Sequence, residues 1–366
     1  MIKLASPYYP KKVYDKITNV LKSGNIVQGK YLKIFENNLK EYIGTKHAVI
    51  VSSGTAALHL ALLALDIKKG DEVIVPAFTF PATANVVELV NAKPVFVDIN
   101  LDDFCIDTTK IEEKINKYTK AIIPVHEFGQ SLKMDEIAKI SKKHNLKIIE
   151  DAACAIGTEF KGKKVGTFGD ISCFSFHPRK IITTGEGGLI ITDNDDLAKK
   201  ARILRNHGML KNKPGIDLII PGLNYRMTDF QAVLGISQLE IIDDLLDNRI
   251  QTAKQYNELL KDLKWITCPK DFHNRKMIYQ SYHILLKQGI NRDDLIKYLL
   301  THGIESNFGA QAINCMSFYR DKYNLYENDF PKAVKAYKTG LSLPIGKHLS
   351  DNDIKYIVDK LSSFVS

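Results

Sequence analysis

The chain has 366 residues, enough for two domains with sizeable cores. A hydrophobic fraction of 45% and a charged fraction of 25% are ordinary for a soluble globular protein. The net charge of +9 suits plain solubility or an anionic small molecule such as a nucleotide diphosphate. No dense basic run and no basic–aromatic alternation appears, so nucleic acid is not an expected partner.

The first residues, MIKLASPYYPKK, have no apolar core of the secretory type, so no signal peptide is expected. Residues 48–67, AVIVSSGTAALHLALLALDI, are long and uncharged until Asp66, as a membrane span would be. Their first part is β-branched, and Ser52, Ser53, Gly54 and Thr55 interrupt the middle. A buried strand, a turn and a buried helix explain the stretch better, and no membrane partner is expected. Strand-like runs follow at 72–75, 94–97, 121–125, 147–150, 171–176 and 189–192, after a first at 47–51. Helical patterns lie between them at 55–65, 82–90 and 134–144. This alternation predicts an α/β fold with a mostly parallel sheet between helices.

Thr228-Asp229 reads as a helix start, with apolar residues at helical spacing through Val233, Ile236, Leu239 and Ile242 and on to Leu263. A helix of that length bends or carries the chain into a second domain. A strand at 282–286 and helices at 292–301 and 351–364 then form a compact α/β tail. The expected division is a large domain over 1–245 and a smaller one over 246–366. Five dispersed cysteines (Cys105, Cys154, Cys173, Cys268, Cys315) with no C-x-x-C pair argue for reduced thiols and a cytoplasmic protein. They form no metal-type cluster, and no metal is expected.

Four stretches carry chemistry. Ser53-Gly54-Thr55 follows a strand and opens a helix, where free backbone N–H groups and the helix dipole favour an anion. An ordinary strand-to-helix turn is the plain alternative. Glu150-Asp151 ends another strand, where ligands of open α/β sheets sit, and a carboxylate there can hold a proton on a ring nitrogen. A helix cap would use Asp equally well. Phe80 ends a third strand region and could stack on a planar cofactor or fill a core. Lys180 follows an apolar run and precedes Gly185-Glu186-Gly187-Gly188. A lysine held from water attacks carbonyls, and one with an acidic partner for a pyridinium nitrogen is the pattern of pyridoxal phosphate. A lone lysine is usually a solvated charge. What raises Lys180 is its company at the strand ends.

Together these motifs resemble the DegT/DnrJ/EryC1/StrS family of sugar aminotransferases, which have the fold type I, aspartate aminotransferase-like architecture. The similarity covers nearly the whole chain and is strongest in SSGTAALHLAL (52–62), DEVIVPAFTFPATAN (71–85), FSFHPRKIITTGEGG (174–188) and NYRMTDFQAVLG (224–235). The resemblance implies pyridoxal 5'-phosphate as cofactor, Lys180 as its Schiff-base lysine and Asp151 as the partner of the ring nitrogen. It implies Gly54, Thr55 and Ser175 at the phosphate, and Phe80 over one ring face. It gives Asn224 the phosphate of a neighbouring subunit, hence a homodimer with shared sites. Cys154 stands where the family usually has Gln or His beside the ring oxygen, and a thiol is a weaker partner. His177 and Arg226 are candidates for substrate phosphates, and structural roles would suit both equally well. Residues 305–314, with Asn307 and Gln311, lack the His-Tyr-Pro-type stretch of many relatives and are expected to line the sugar or nucleotide site.

The implied activity moves an amino group from an amino acid, by family habit L-glutamate, to a nucleotide-linked 4-keto-6-deoxy sugar. The product would be a deoxyaminosugar for surface polysaccharide such as O-antigen. A 3-keto sugar is the alternative within the family. A dehydratase branch replaces the lysine with histidine, and Lys180 argues against it. A regulator without catalysis should lose the lysine, the aspartate or the phosphate turn, and all three are kept.

Overall fold

The computed structural model describes residues 1–212, 215–287 and 289–364. Its centre is a seven-stranded sheet. In chain order the strands are β1 (His47–Val51), β2 (Glu72–Pro76), β3 (Lys93–Val97), β4 (Thr119–Ile122), β5 (Lys147–Asp151), β6 (Ile171–Ser175) and β7 (Gly188–Thr192). They lie side by side as β1-β7-β6-β5-β4-β2-β3. All contacts from β6 to β3 are parallel, while β7 runs against both β6 and β1. Each strand expected from the sequence is present, shifted at its ends by a few residues.

Burial on both faces explains the unbroken apolar runs, since helices cover the sheet above and below. All five residues of β2 and of β7 are buried. Helix α3 (Gly54–Ala64) follows α1 (Val13–Ser23) and α2 (Lys30–Ile43), and packs on β6 and β7. Seven of its eleven residues are buried, which accounts for a sequence that mimics a membrane span. Among the described residues no helix is long and apolar enough to cross a membrane. Helices α4 (Ala82–Leu89), α5 (Met134–His144) and α6 (Asp195–Arg205) complete the layers.

The long helix expected from residue 229 is two helices, α7 (Asp229–Leu239) and α8 (Ile242–Leu260). Ile241 leaves helical geometry at φ −126° and ψ 21°. No glycine or proline marks the break, and the apolar spacing runs through it, so the pattern alone could not show it. The expected domain boundary near 245 falls inside α8. Beyond it, β8 (Ile266–Thr267), β9 (Tyr282–Leu286) and β10 (Gly340–Leu343) form an antiparallel sheet. Helices α9 (Arg292–Thr301), α10 (Ser317–Tyr323), α11 (Pro331–Thr339) and α12 (Asp351–Phe364) accompany it. The first residues of the chain join this unit: Ile2 pairs with Ile304, and the Leu4 amide donates to Glu305 at 3.0 Å.

Candidate active site

The carboxyl ends of the parallel strands open onto a cavity of about 350 Å³, closed on the far side by residues of the C-terminal unit. Its floor begins at α3. Ser53 caps that helix, its side chain accepting from the Ala56 amide at 3.0 Å. The amides of Gly54 and Thr55 are the first of the helix, where the helix itself supplies no acceptor. Both residues line the cavity. A Cβ on Gly54 would lie 2.8 Å from Cβ of Ser175, so glycine alone lets the helix start meet β6. A Cβ on Gly188 would lie 2.2 Å from the Ser53 carbonyl oxygen, which explains the glycine at the head of β7.

Asp151 ends β5 and is 4% exposed. Its carboxylate accepts from Thr83 Oγ1 at 2.8 Å and from the Ala153 amide at 3.1 Å. Burial pushes its carboxyl above the usual range, and the bonds from Thr83 and Ala153 and the charge of Lys180 offset only part of that. A buried carboxylate in this state is stabilised by a cationic partner.

Lys180 Nζ reaches Cys154 Sγ at 2.8 Å. The lysine's own loop is held from two sides. Gln280 accepts from the Ile181 amide at 3.1 Å and donates to the Arg179 carbonyl at 2.6 Å, so it grips both peptide neighbours of Lys180. Gln238 of α7 makes the same pair of bonds with Thr183, at 3.1 and 2.6 Å. Burial pushes the Cys154 thiol above its ordinary value despite the charge of Lys180.

Nine residues expected from the sequence meet in this one cavity: Gly54, Thr55, Phe80, Asp151, Cys154, Ser175, His177, Lys180 and Asn307. Phe80 stands at the rim, 58% exposed, while its neighbour Phe78 is buried in the core. His177 accepts through Nδ1 from the Arg179 amide at 3.2 Å, and burial lowers its imidazole below the usual value. Three expected residues are not in the walls. Gln311 pairs with Thr79 in a two-residue ladder, and its Oε1 is buried with no hydrogen-bond partner among the described residues. Asn224 is exposed and bridges Asn206 by backbone pairing, and Arg226 donates to the Asn206 side chain. Tyr225, between them, accepts from the Ser52 amide at 2.9 Å, so the segment runs beside the helix start without entering the cavity wall.

Sequence reading passed over Thr83, Gln238, Gln280 and Glu127. Thr83 lies inside the quoted 71–85 stretch, one helical turn beyond Thr79. Glu127 follows the strand of residues 119–122 as Asp151 closes β5, so the strand-end rule that found Asp151 also points to it. The glutamines carry no local signal, because their partners are distant in sequence.

The arrangement fits pyridoxal phosphate. The helix start with its glycine cradle suits a phosphate, the buried acid suits a ring nitrogen that carries a proton, and the amine of Lys180 suits a bond to the aldehyde carbon. Comparison with known proteins agrees. The profile of the DegT/DnrJ/EryC1/StrS aminotransferase family matches residues 8–362. GDP-perosamine synthase of Caulobacter vibrioides is 41% identical over 336 residues, covering 91% of this chain and 90% of the relative. UDP-4-amino-4,6-dideoxy-N-acetyl-beta-L-altrosamine transaminase of Campylobacter jejuni is 38% identical, covering 96% of this chain and 94% of the relative. Among solved structures, a candidate sugar aminotransferase of Streptococcus pneumoniae in its PMP-form superposes with a TM-score of 0.94 at 29% identity, covering 99% and 98% of the two chains.

Proposed function

The chain belongs to the DegT/DnrJ/EryC1/StrS aminotransferase family, and we propose that it moves an amino group from L-glutamate to a nucleotide-linked 4-keto-6-deoxy sugar. The observation that carries the chemistry is the meeting of Lys180, buried Asp151 and the Gly54 cradle in one cavity. The choice of C4 is supported by the Campylobacter relative, whose name prints a 4-amino-4,6-dideoxy sugar.

Pyridoxal phosphate, when bound, supplies a carbon that carries the amino group and a ring that takes up an electron pair. Everything else falls to the chain. Lys180 Nζ bonds to that carbon at rest. Once free, its amine would be the base that takes the proton from the donor's α-carbon. With the keto sugar it works in reverse. Asp151 holds the proton on the ring nitrogen, and Thr83 fixes the orientation of its carboxylate. The amides of Gly54 and Thr55 and the hydroxyl of Ser175 hold the phosphate. Phe80 covers a ring face, Cys154 stands by the ring oxygen, and His177 and Asn307 meet the substrate.

Asn224 lies outside its own chain's cavity. In this reading it serves the phosphate of a second copy, giving a homodimer with shared sites. The dispersed free cysteines and a nucleotide-linked substrate support a cytoplasmic enzyme, making a deoxyaminosugar for a surface polysaccharide.

The substrate reading is tested in two half-reactions. Holoenzyme is converted with glutamate, the donor is removed, and 3-keto and 4-keto 6-deoxy nucleotide sugars are added separately. Return of the visible cofactor absorbance with the 4-keto sugar alone is expected. Return with the 3-keto sugar alone would move the new amine to C3 and refute the C4 assignment.

A further inference from the structure

Glu127 is a carboxylic acid in the cavity wall that no step above uses. It sits in the turn after the strand of residues 119–122 and is 5% exposed. Among the described residues no ion pair reaches its carboxyl, whose polar partner is the amide of Phe128. Phe128 takes a left-handed conformation, φ 54°, to make this turn. The turn is fastened from the C-terminal unit, with the Ile278 amide donating to Gly129 at 3.2 Å. An acid in such a place, fixed by its backbone and lacking a cation of its own, faces the cavity for a reason other than folding.

We propose that Glu127 is a cofactor-facing acid, whose carboxyl donates a hydrogen bond to the ring hydroxyl oxygen of pyridoxal phosphate. The inference rests on the placement of the cofactor by Lys180, Asp151 and Gly54 given above. In that ring the carbon that bonds to lysine lies opposite the nitrogen. One edge between them carries the phosphate arm and the other carries the hydroxyl. Gly54, Thr55 and Ser175 take the phosphate edge. The backbone beside Glu127 is tied to the nitrogen end, the His126 amide donating to the Asp151 carbonyl at 3.0 Å, and Glu127 lines the same cavity as Lys180. Two residues on, Gly129 backs onto Cys154, the residue set beside the ring oxygen: a Cβ there would lie 3.3 Å from the Cys154 carbonyl oxygen. That places Glu127 along the hydroxyl edge, where a thiol is a poor donor and a carboxyl a good one.

Its proton is available. Burial first, and then the charge of Asp151, raise the Glu127 carboxyl to about 8, against the pull of Lys180 and the Phe128 amide. It therefore enters neutral pH as a neutral donor, as acids in apolar sites do. The other titratable groups around it do not compete. Burial holds the Cys105 thiol well above its ordinary value and lowers the His283 imidazole to about 3, so both stay neutral. Asp103 is taken by Arg275 at 2.9 Å, and Asp102 by Lys270 at 2.7 Å. The His126 imidazole, next in sequence, is turned to Glu150 at 2.9 Å, and the charges that bear on Glu127 are those of Asp151 and Lys180.

The test uses full-length holoenzyme in three forms: wild type, E127Q and E127L. Gln keeps a donor of the same shape that cannot titrate, and Leu has none. E127Q is expected to hold the cofactor within about threefold of wild type, and E127L to lose about tenfold or more in affinity. The visible absorbance, followed from about pH 6 to about pH 10, is expected to show a transition in wild type that E127Q lacks or displaces by at least about one pH unit. Equal retention by all three forms, or matching titrations of wild type and E127Q, overturns the proposal. Should E127L fail to fold, as its thermal melt would show, the wild-type and E127Q titrations decide alone. A wild type with no visible band refutes the Lys180 reading and this inference with it; a band with matching titrations refutes only the inference.

Discussion

Nζ of Lys180 donates to Sγ of Cys154 across 2.8 Å. Sulfur accepts weakly, so the bond steadies the amine without holding it from its chemistry. Cys154→Ala is therefore expected to change cofactor affinity by no more than about threefold, under ~1 kcal/mol. Equilibrium binding of pyridoxal phosphate to both forms checks this. A loss of a hundredfold would mean that the thiol is a principal anchor.

Asp151 carries a different weight. Asp151→Asn keeps the shape and the bond from Thr83 but cannot hold a ring proton by its charge. Single-turnover reaction with glutamate is expected to slow by about 10²–10³-fold, while the cofactor still binds. An unchanged rate would remove Asp151 from the mechanism.

Gln280 grips the carbonyl of Arg179 and the amide of Ile181. Gln280→Leu leaves the buried Ile181 amide without a partner, at about 1–3 kcal/mol, and frees the carbonyl of exposed Arg179. Thermal melting should show the loss. The rate at which the cofactor attaches to Lys180 should fall as well, and a lowered melting temperature with normal attachment would make Gln280 purely structural.

Gly54→Ala sets a methyl 2.8 Å from Ser175 Cβ. Strain of this kind costs about 1–3 kcal/mol, and here it falls on the helix start that meets the phosphate. Affinity for pyridoxal phosphate should drop by about ten- to a hundredfold, with free inorganic phosphate losing its ability to compete. Retained competition by phosphate would place the phosphate site elsewhere.

Glu127 gives the cofactor-free protein a pH signature. Its folded pKa, about 8, lies above its ordinary value of 4.5. Over that window the folded state binds the proton and the unfolded state does not, so wild-type stability falls as pH rises from the lower value to the higher. E127Q cannot titrate. Its melting temperature relative to wild type should rise across the window and level off above it. A constant difference would show that Glu127 is not perturbed.

Much of this site was legible in the sequence because its pieces are local. The phosphate turn is a strand, a Ser-Gly-Thr and a helix in one short stretch, and Asp151 closes an apolar strand. The sheet strands announced themselves through Val and Ile runs that only two-sided burial explains. What stayed hidden was non-local. Gln280 and Gln238 bond to the Lys180 loop across 99 and 55 positions of chain, and no spacing rule reaches that far. The break at Ile241 has no breaking residue to betray it. The reversed direction of β7 depends on a loop that returns along the sheet instead of crossing over it, which the apolar run of 189–192 cannot reveal. Asn224 and Arg226 stand outside their own chain's cavity, and for Asn224 the resemblance implies the phosphate of a neighbouring subunit.

The proposed activity requires Lys180 to be the amine that carries the cofactor. Holoenzyme reduced with borohydride, digested and mapped by mass spectrometry tests this directly. The account predicts one modified peptide, bearing the reduced cofactor on Lys180, and none from Lys180→Ala treated alike. A modification on another lysine, or the same yield from the variant, would contradict it.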